Sequence, residues 1–106
     1  MIPDGQFGLY ISTVPMGIRI KIPKLLVEKT GGALLIEVRG GNVLECISDL
    51  ICRYPKLDGV ILDSSNRLLL KWMVYVNDQG AVSSDQLLYP VKEGDMITLL
   101  PMIAGG

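Results

Sequence analysis

The chain ends in the stretch GDMITLLPMIAGG (residues 94–106). Gly94-Asp95 is a turn signal, and the apolar run Met96 to Leu100 that follows it predicts a strand. Pro101 has no N–H and cannot continue a central strand, so we expect the strand to end there. A glycine pair at the end of a chain has no second element to turn toward. Residues 101–106 are therefore predicted to form a projecting arm, which spans about 17 Å when extended.

Upstream of this stretch, two further segments predict a hairpin. Residues 18–22 (IRIKI) alternate apolar and charged side chains, the period-2 pattern of a half-buried strand, and Pro23 stops them. Residues 33–39 predict a second strand. The connection over residues 24–32 ends in a Thr-Gly-Gly turn, and we expect the apolar residues 25–27 to be tucked in.

One segment predicts a helix. Asn42 is a good N-cap, and Glu45 three residues later completes an approximate capping box. Pro55 should end the helix, because the residue before a proline avoids helical dihedral angles. The predicted buried face consists of apolar residues at helical spacing, Leu44, Ile47, Ile51 and Tyr54. Val43 and Leu50 lie beside this face.

The remaining elements complete an α+β pattern. Residues 57–66 are a turn-rich crossing, residues 73–76 predict a strand, residues 77–80 a turn, and residues 81–82 a stub of strand. The order β-β-α-β-(β)-β indicates a mixed sheet of four to five strands packed on one main helix.

Composition limits the chemistry of the protein. The 106 residues allow a single domain. Ten Lys and Arg stand against eleven Asp and Glu, for a net charge of -1, which argues against a nucleic-acid footprint. There is no histidine, which excludes Ser-His-Asp and Cys-His catalysis and every metal site that needs imidazole. We therefore expect no bound metal and no catalytic residues.

The sequence also indicates a cytoplasmic protein without membrane partners. No apolar run is long enough for a membrane-spanning helix, and the N-terminus lacks the pattern of a signal peptide. Cys46 and Cys52 are six residues apart, about 9 Å along a helix, which is too far for a disulfide. Both are expected to be free thiols in the core.

Residues 1–17 differ from the rest of the chain, because repeated Gly and Pro interrupt an apolar composition. We interpret them as an N-terminal extension of unknown role. The predicted organisation is an extension over 1–17, a domain over 18–100 and an arm over 101–106.

Taken together, these motifs resemble the MoaD/ThiS family of small ubiquitin-like sulfur carriers. The resemblance covers about residues 18–106. It includes the first strand with Pro23, the helix that ends before Pro55, the strand at 74–77, and the final strand with its terminal Gly-Gly. Residues 22–32 are similar to the carriers used in cysteine synthesis. The resemblance implies the β-grasp fold, and the predicted element order fits it.

The resemblance also implies a chemistry at the end of the arm. An E1-like activating enzyme of the MoeB/ThiF type uses ATP to adenylate the terminal carboxylate of Gly106. A sulfur donor then converts it to a thiocarboxylate, which is delivered to an acceptor enzyme. That acceptor is the large subunit of a molybdopterin synthase or a cysteine synthase type of enzyme, and thiamine synthesis uses a related route. We expect molybdopterin synthesis first, with cysteine synthesis close behind, and a carrier that binds no cofactor itself.

The arm and its neighbours are the candidate site. Ala104 and Gly105 would enter the partner's channel, where only a narrow backbone fits. Alternation exposes either Leu99 or Leu100, and an exposed Leu100 would meet partners. Apolar side chains near the arm, Met102 and Ile103, are assigned to partner docking as well.

Two other functions use the same arm. Gly106 could be joined to lysines of other proteins, as in a ubiquitin-like modifier, or the domain could be an interaction subunit with an inert Gly-Gly.

Gly40-Gly41 before the helix is interpreted as part of a cap rather than an anion site. The basic residues of the first hairpin are interpreted as a solvated face that could meet an acidic partner: Arg19, Lys21, Lys24, Lys29 and Arg39.

Overall fold

A computed structural model describes residues 17–77, 80–82 and 86–102. Within them the strands are β1 (Ile18–Lys21), β2 (Leu35–Val38), β3 (Trp72–Val76), β4 (Ala81–Val82) and β5 (Met96–Pro101), with the α-helix α1 (Val43–Arg53) between β2 and β3. Two 3₁₀ helices, Lys24–Thr30 and Pro55–Leu57, complete the elements. The predicted order and the α+β class are confirmed.

The strands form one mixed sheet in the order β2-β1-β5-β3-β4. β1 and β2 are an antiparallel hairpin in which Ile20 lies opposite Ile36. β5 runs parallel to β1 on one side and antiparallel to β3 on the other. The last strand therefore lies in the centre of the sheet, and its C-terminal end extends beyond β1 and pairs with β3 alone.

One face of the sheet packs on α1 and forms the core. Alternate residues along each strand point to this face, as the period-2 pattern requires. The largest fully buried side chains come from strands, helix and connections alike: Ile20, Ile47, Leu50, Leu57, Ile61 and Ile97. A fully buried side chain of this size contributes about 1.5–3 kcal/mol relative to an exposed one.

The N-terminus of α1 is capped as predicted. The Asn42 side chain accepts a hydrogen bond from the backbone N–H of Glu45 at 2.8 Å. The Glu45 carboxylate accepts one from the N–H of Gly41 at 2.7 Å, one residue before the usual capping-box donor. The helix ends at Arg53, one residue before the cap Tyr54 and Pro55. Both ends of α1 are therefore determined by residues next to them in the sequence.

The buried face of α1 is rotated from the predicted one. Its centre is formed by Val43, Cys46, Ile47 and Leu50, whereas Leu44, Ile51 and Tyr54 are partly buried at its borders. Both sets share helical spacing, and Cys46 serves as a small apolar side chain against the sheet. Hydrophobic spacing alone could not choose between two adjacent stripes on one apolar helix.

Three exposure or boundary predictions are wrong. Leu25 is 71% exposed, because the segment after Pro23 is a 3₁₀ helix that buries Leu26 instead. Cys52 is exposed on the outer side of α1, although both cysteines are free as predicted. β5 does not end before Pro101. It includes this proline, which lies opposite Trp72.

Pro101 is accommodated because its neighbour on that side has already ended. Backbone groups of Met96 and Met102 hydrogen-bond to the β3 side, so alternation directs the proline nitrogen toward β1. The register of β1 with β5 stops at Lys21 opposite Thr98, and no ladder hydrogen bond is lost at Pro101. The sheet-bound part of the chain therefore reaches two residues into the predicted arm.

The Thr-Gly-Gly turn of the first hairpin is confirmed. Gly31 and Gly32 have φ of 66° and 96°, values that favour glycine. The Thr30 hydroxyl is buried and lies 2.8 Å from the carbonyl of Ala33. Of the predicted N-terminal extension only Gly17 is described, so residues 1–16 lie outside the described residues and their role stays a prediction.

Candidate functional site at the end of the last strand

The end of β5 presents two of the predicted docking residues. Leu99 is 2% exposed and points to the core, whereas Leu100 is 42% exposed on the opposite face. Met102 is 50% exposed. The sequence left open whether Leu99 or Leu100 is exposed, and the structure shows that it is Leu100. Ile103, Ala104, Gly105 and Gly106 lie outside the described residues, and their roles stay predictions.

The base of the arm, Pro101 and Met102, is fixed to the rest of the protein. The N–H of Met102 donates to the carbonyl of Lys71 at 2.7 Å, one step beyond the pairing of Pro101 with Trp72. The indole N–H of Trp72 in turn donates to the carbonyl of Val60 at 2.6 Å. Trp72 is buried, so the arm starts from a position that is held by the core.

The outer face of the sheet carries an apolar stripe beside the arm base. Met73 lies opposite Leu100 and Tyr75 lies opposite Thr98 in the β3–β5 register. Met73, Tyr75 and Thr98 are half-buried, and Leu100 is exposed. This stripe leads along the sheet to Met102.

An open apolar pocket of about 240 Å³ continues the stripe. It is lined by leucines 68–70, by Trp72 and Met73, by both residues of β4, and by Met102. Leu70 is 85% exposed at its border. Sequence reasoning missed this pocket. Its signal was the run Leu68-Leu69-Leu70, because three consecutive leucines cannot all point to one side of a chain.

The opposite end of β5 is organised by Asp95. Its carboxylate accepts hydrogen bonds from the Asn77 side-chain amide at 3.0 Å and from the N–H of Lys92 at 2.9 Å. These hydrogen bonds lower the pKa of Asp95 from its ordinary value, and the hydrogen bond from Asn77 has the largest effect. The Gly94-Asp95 motif thus builds the turn that starts the last strand and takes no part at the arm.

Cys46 has no reactive character. Burial, followed by repulsion from Asp49 and Glu45, raises the pKa of the Cys46 thiol to about 11. The group is therefore protonated at neutral pH and does not act as a nucleophile.

Within the described ranges, no cluster of three or more metal-ligating side chains occurs, and no helix there is long and apolar enough to cross a membrane.

These features define a class of protein. A mixed sheet covers one helix, the last strand is central, and its end at Pro101 lies beside an apolar surface. This is the β-grasp architecture of ubiquitin-like proteins, and comparison with known proteins confirms it. The model of the ThiS family matches residues 20–106. The chain therefore belongs to the ThiS family of ubiquitin-like sulfur carriers.

Individual relatives agree with this assignment. A protein of Mycobacterium bovis called sulfur carrier protein CysO is 33% identical over 93 residues, which cover 86% of this chain and all of that protein. The crystal structure of the BexX/CysO complex of Amycolatopsis orientalis matches with a TM-score of 0.75 at 36% identity, and covers 85% of this chain and 100% of the matched chain.

A more distant structure supports the fold alone. The solution structure of the small archaeal modifier protein 1 from Methanosarcina acetivorans has a TM-score of 0.71 at 22% identity, and covers 87% of this chain and 98% of that protein. At this identity the likeness extends to the β-grasp fold and not to the way in which the terminus is used.

Proposed function

We propose that this protein carries sulfur as a thiocarboxylate on Gly106 and donates it in cysteine biosynthesis. One observation carries the proposal: the ThiS family match runs from residue 20 through Gly106, so it includes the terminal Ala104-Gly105-Gly106. Relatives that bear the name sulfur carrier protein CysO support it, since this chain covers their whole length.

The chemistry follows from the poor reactivity of a carboxylate. Its charge is delocalised, and it has no leaving group. An E1-like enzyme of the MoeB/ThiF type would join the Gly106 carboxylate to the α-phosphate of ATP and release pyrophosphate. Sulfide (HS⁻) from a sulfur donor then attacks the carbonyl carbon, the bond to AMP breaks, and the loss of a proton leaves the thiocarboxylate. The carrier itself acts as a cosubstrate and contributes positioning, the proximity part of catalysis.

The relatives change the order of the predicted pathways. From the sequence, molybdopterin synthesis was expected first and cysteine synthesis second. The relatives reported above carry the CysO name, which favours an acceptor of the cysteine synthase type over the large subunit of a molybdopterin synthase. Use as a protein modifier is not favoured, because the modifier-like neighbour supports the fold alone.

The outer sheet face supports delivery. The apolar stripe of Met73, Tyr75 and Leu100, together with the pocket beside Met102, would dock the activating enzyme and then the acceptor. The thioether side chains of Met73 and Met102 adapt to different apolar surfaces, which suits a protein that meets two partners in turn. Because Met102 is held to Lys71, docking would set the point from which the arm enters a channel.

The proposal is tested by the intact mass of the protein. We expect incubation with ATP, the activating enzyme of the same organism and a sulfur donor to add the mass difference between sulfur and oxygen. The chain without Gly105 and Gly106 should fold and remain unmodified. Gly80→Ala is the matched control, because a Cβ at this position meets nothing within 4 Å, and it should be modified like the wild type.

Two results would contradict the proposal. An unchanged mass of the wild-type chain under these conditions would exclude the thiocarboxylate. Branched peptides that join Gly106 to lysines of other proteins, in a digest of cells that express the chain, would identify a modifier instead.

A further inference from the structure

Three lysines surround the base of the arm. Lys21 ends β1 and lies opposite Thr98 of β5. Lys24 begins the 3₁₀ helix directly after β1. Lys71 precedes β3, and its carbonyl accepts the hydrogen bond from Met102. All three side chains are exposed, and we call them the lysine rim.

No ion pair involves a residue of the lysine rim within the described part of the chain. The only ion pair found there joins Asp49 to Arg53 at 3.0 Å. The cross-strand neighbours of Lys21 are Leu35 and Thr98, which carry no charge. The ammonium group of Lys71 lies 5.9 Å from the centre of the Trp72 ring, a contact with an aromatic face rather than with a carboxylate.

Charges of both signs occupy the other end of the sheet. Glu93 and Asp95 lie in the turn before β5, and the Asp95 carbonyl accepts from the N–H of Arg19 at the start of β1. Glu45 lies in the first turn of α1, which begins at this same end, after β2. Arg19, Arg39 and Lys92 lie at this end too, so its charges are mixed, whereas Lys21, Lys24 and Lys71 lie at the end that carries the arm.

We propose that the lysine rim pairs with carboxylates around the entrance of the partner's channel, so that the carrier approaches its partner with the arm first. The occupant of this surface is a protein with an acidic border and an apolar centre, the latter facing Leu100 and Met102. The inference rests on the proposed function, because that function provides a partner that receives the arm.

Charge of this kind acts mainly on the rate of association. Complementary fields raise association rates by about 10- to 1,000-fold, and the gain falls steeply with ionic strength. Exposed pairs at the border of an interface add little affinity once the complex has formed. Orientation would matter for this protein, because only one end of the sheet carries the arm.

The test is stopped-flow association with the purified activating enzyme of the same organism, over a range of ionic strength. Lys21→Glu, Lys24→Glu and Lys71→Glu should each lower the association rate constant at low salt by about threefold or more, and weaken its salt dependence. Lys92→Glu is the matched control, since it makes the same charge change in the exposed turn at the opposite end. It should leave the rate within about twofold of the wild type.

The outcomes separate the two proposals. A wild-type rate that does not change with salt, or an equal effect of Lys92→Glu, would overturn the role of the lysine rim while the mass of the thiocarboxylate still supports the carrier. Absence of both complex and modified mass for the wild type would overturn both. Thermal unfolding of each variant, expected to match the wild type, excludes loss of folding as the cause of a slower rate.

Discussion

At the scale of single residues, the two cysteines show how the surroundings of a thiol determine its reactivity. Cys46 and Cys52 lie on the same helix, but α1 turns Cys46 to the sheet and Cys52 to solvent. Burial raises the pKa of the Cys46 thiol to about 11, whereas Cys52 remains accessible to reagents. Burial makes Cys46 inaccessible and keeps it protonated, and only the thiolate is a good nucleophile.

This difference predicts selective alkylation. Treatment of the folded protein with iodoacetamide near pH 8 should modify Cys52 and leave Cys46 intact, because Cys46 is buried and stays protonated. Peptide mass mapping would locate the label, and a sample in denaturant serves as the control in which both cysteines react. Rapid labelling of Cys46 in the folded protein would contradict the packing of α1.

At the scale of elements, the edge strand β2 is protected by side chains of the helix. The N–H of Arg39 donates to the Asp49 carboxylate at 3.0 Å. The Arg53 guanidinium donates to the Glu37 carbonyl and also pairs with Asp49. An open strand edge invites pairing with other chains. The Asp49–Arg53 pair occupies the C-terminal part of this edge.

The cap of α1 is the second local device, and its strength can be measured. Asn42→Ala removes the acceptor for the N–H of Glu45 and should lower the free energy of unfolding by about 1 kcal/mol. Urea denaturation measures the loss. Asn42→Asp keeps an acceptor at this position and is the matched control with little expected effect. An unchanged stability of Asn42→Ala would mean that the cap does not stabilise the helix.

At the scale of the whole molecule, the sheet separates two tasks. Its inner face packs on α1 and forms the core, whereas its outer face and the arm base are partly exposed. Because β5 is central, the position of Met102 depends on both halves of the fold. The hydrogen bond from Met102 to Lys71 gives the predicted arm a fixed starting point.

The docking surface is tested by a charge in its centre. Leu100→Glu should weaken the complex with the activating enzyme by at least about tenfold, because it places a carboxylate in an apolar contact. Leu88→Glu is the matched control, since Leu88 is also an exposed leucine but lies near the start of α1, where the carbonyl of Leu87 accepts from Leu44. Equal effects of both variants on the dissociation constant would argue against this surface.

Much of the fold was predicted from the sequence because its signals are local. The alternation of residues 18–22, the cap at Asn42 and the proline after Tyr54 each act within a few residues, and the structure confirms them. The predicted β-grasp fold and the ThiS family are confirmed by the comparisons. For the site, alternation correctly reduced the choice to Leu99 or Leu100.

The errors concern orientation and neighbours. The exposed Leu25, the exposed Cys52 and the rotated face of α1 depend on which side of an element meets the sheet. The pairing of Pro101 with Trp72 depends on where β1 ends relative to β5. None of these orientations and pairings can be predicted from one segment, because each depends on elements that are far apart in the chain.

The amino-acid sequence by itself determined the elements, their order and the terminal glycine pair, since propensities, caps and prolines act over a few bonds. The tertiary structure alone decided which leucine is exposed, where the pocket beside Met102 lies, and that Lys21, Lys24 and Lys71 lie at one end of the sheet. Those properties arise from strand register, which pairs Lys21 with Thr98 and brings Met102 to Lys71, and side-chain packing then fixes them.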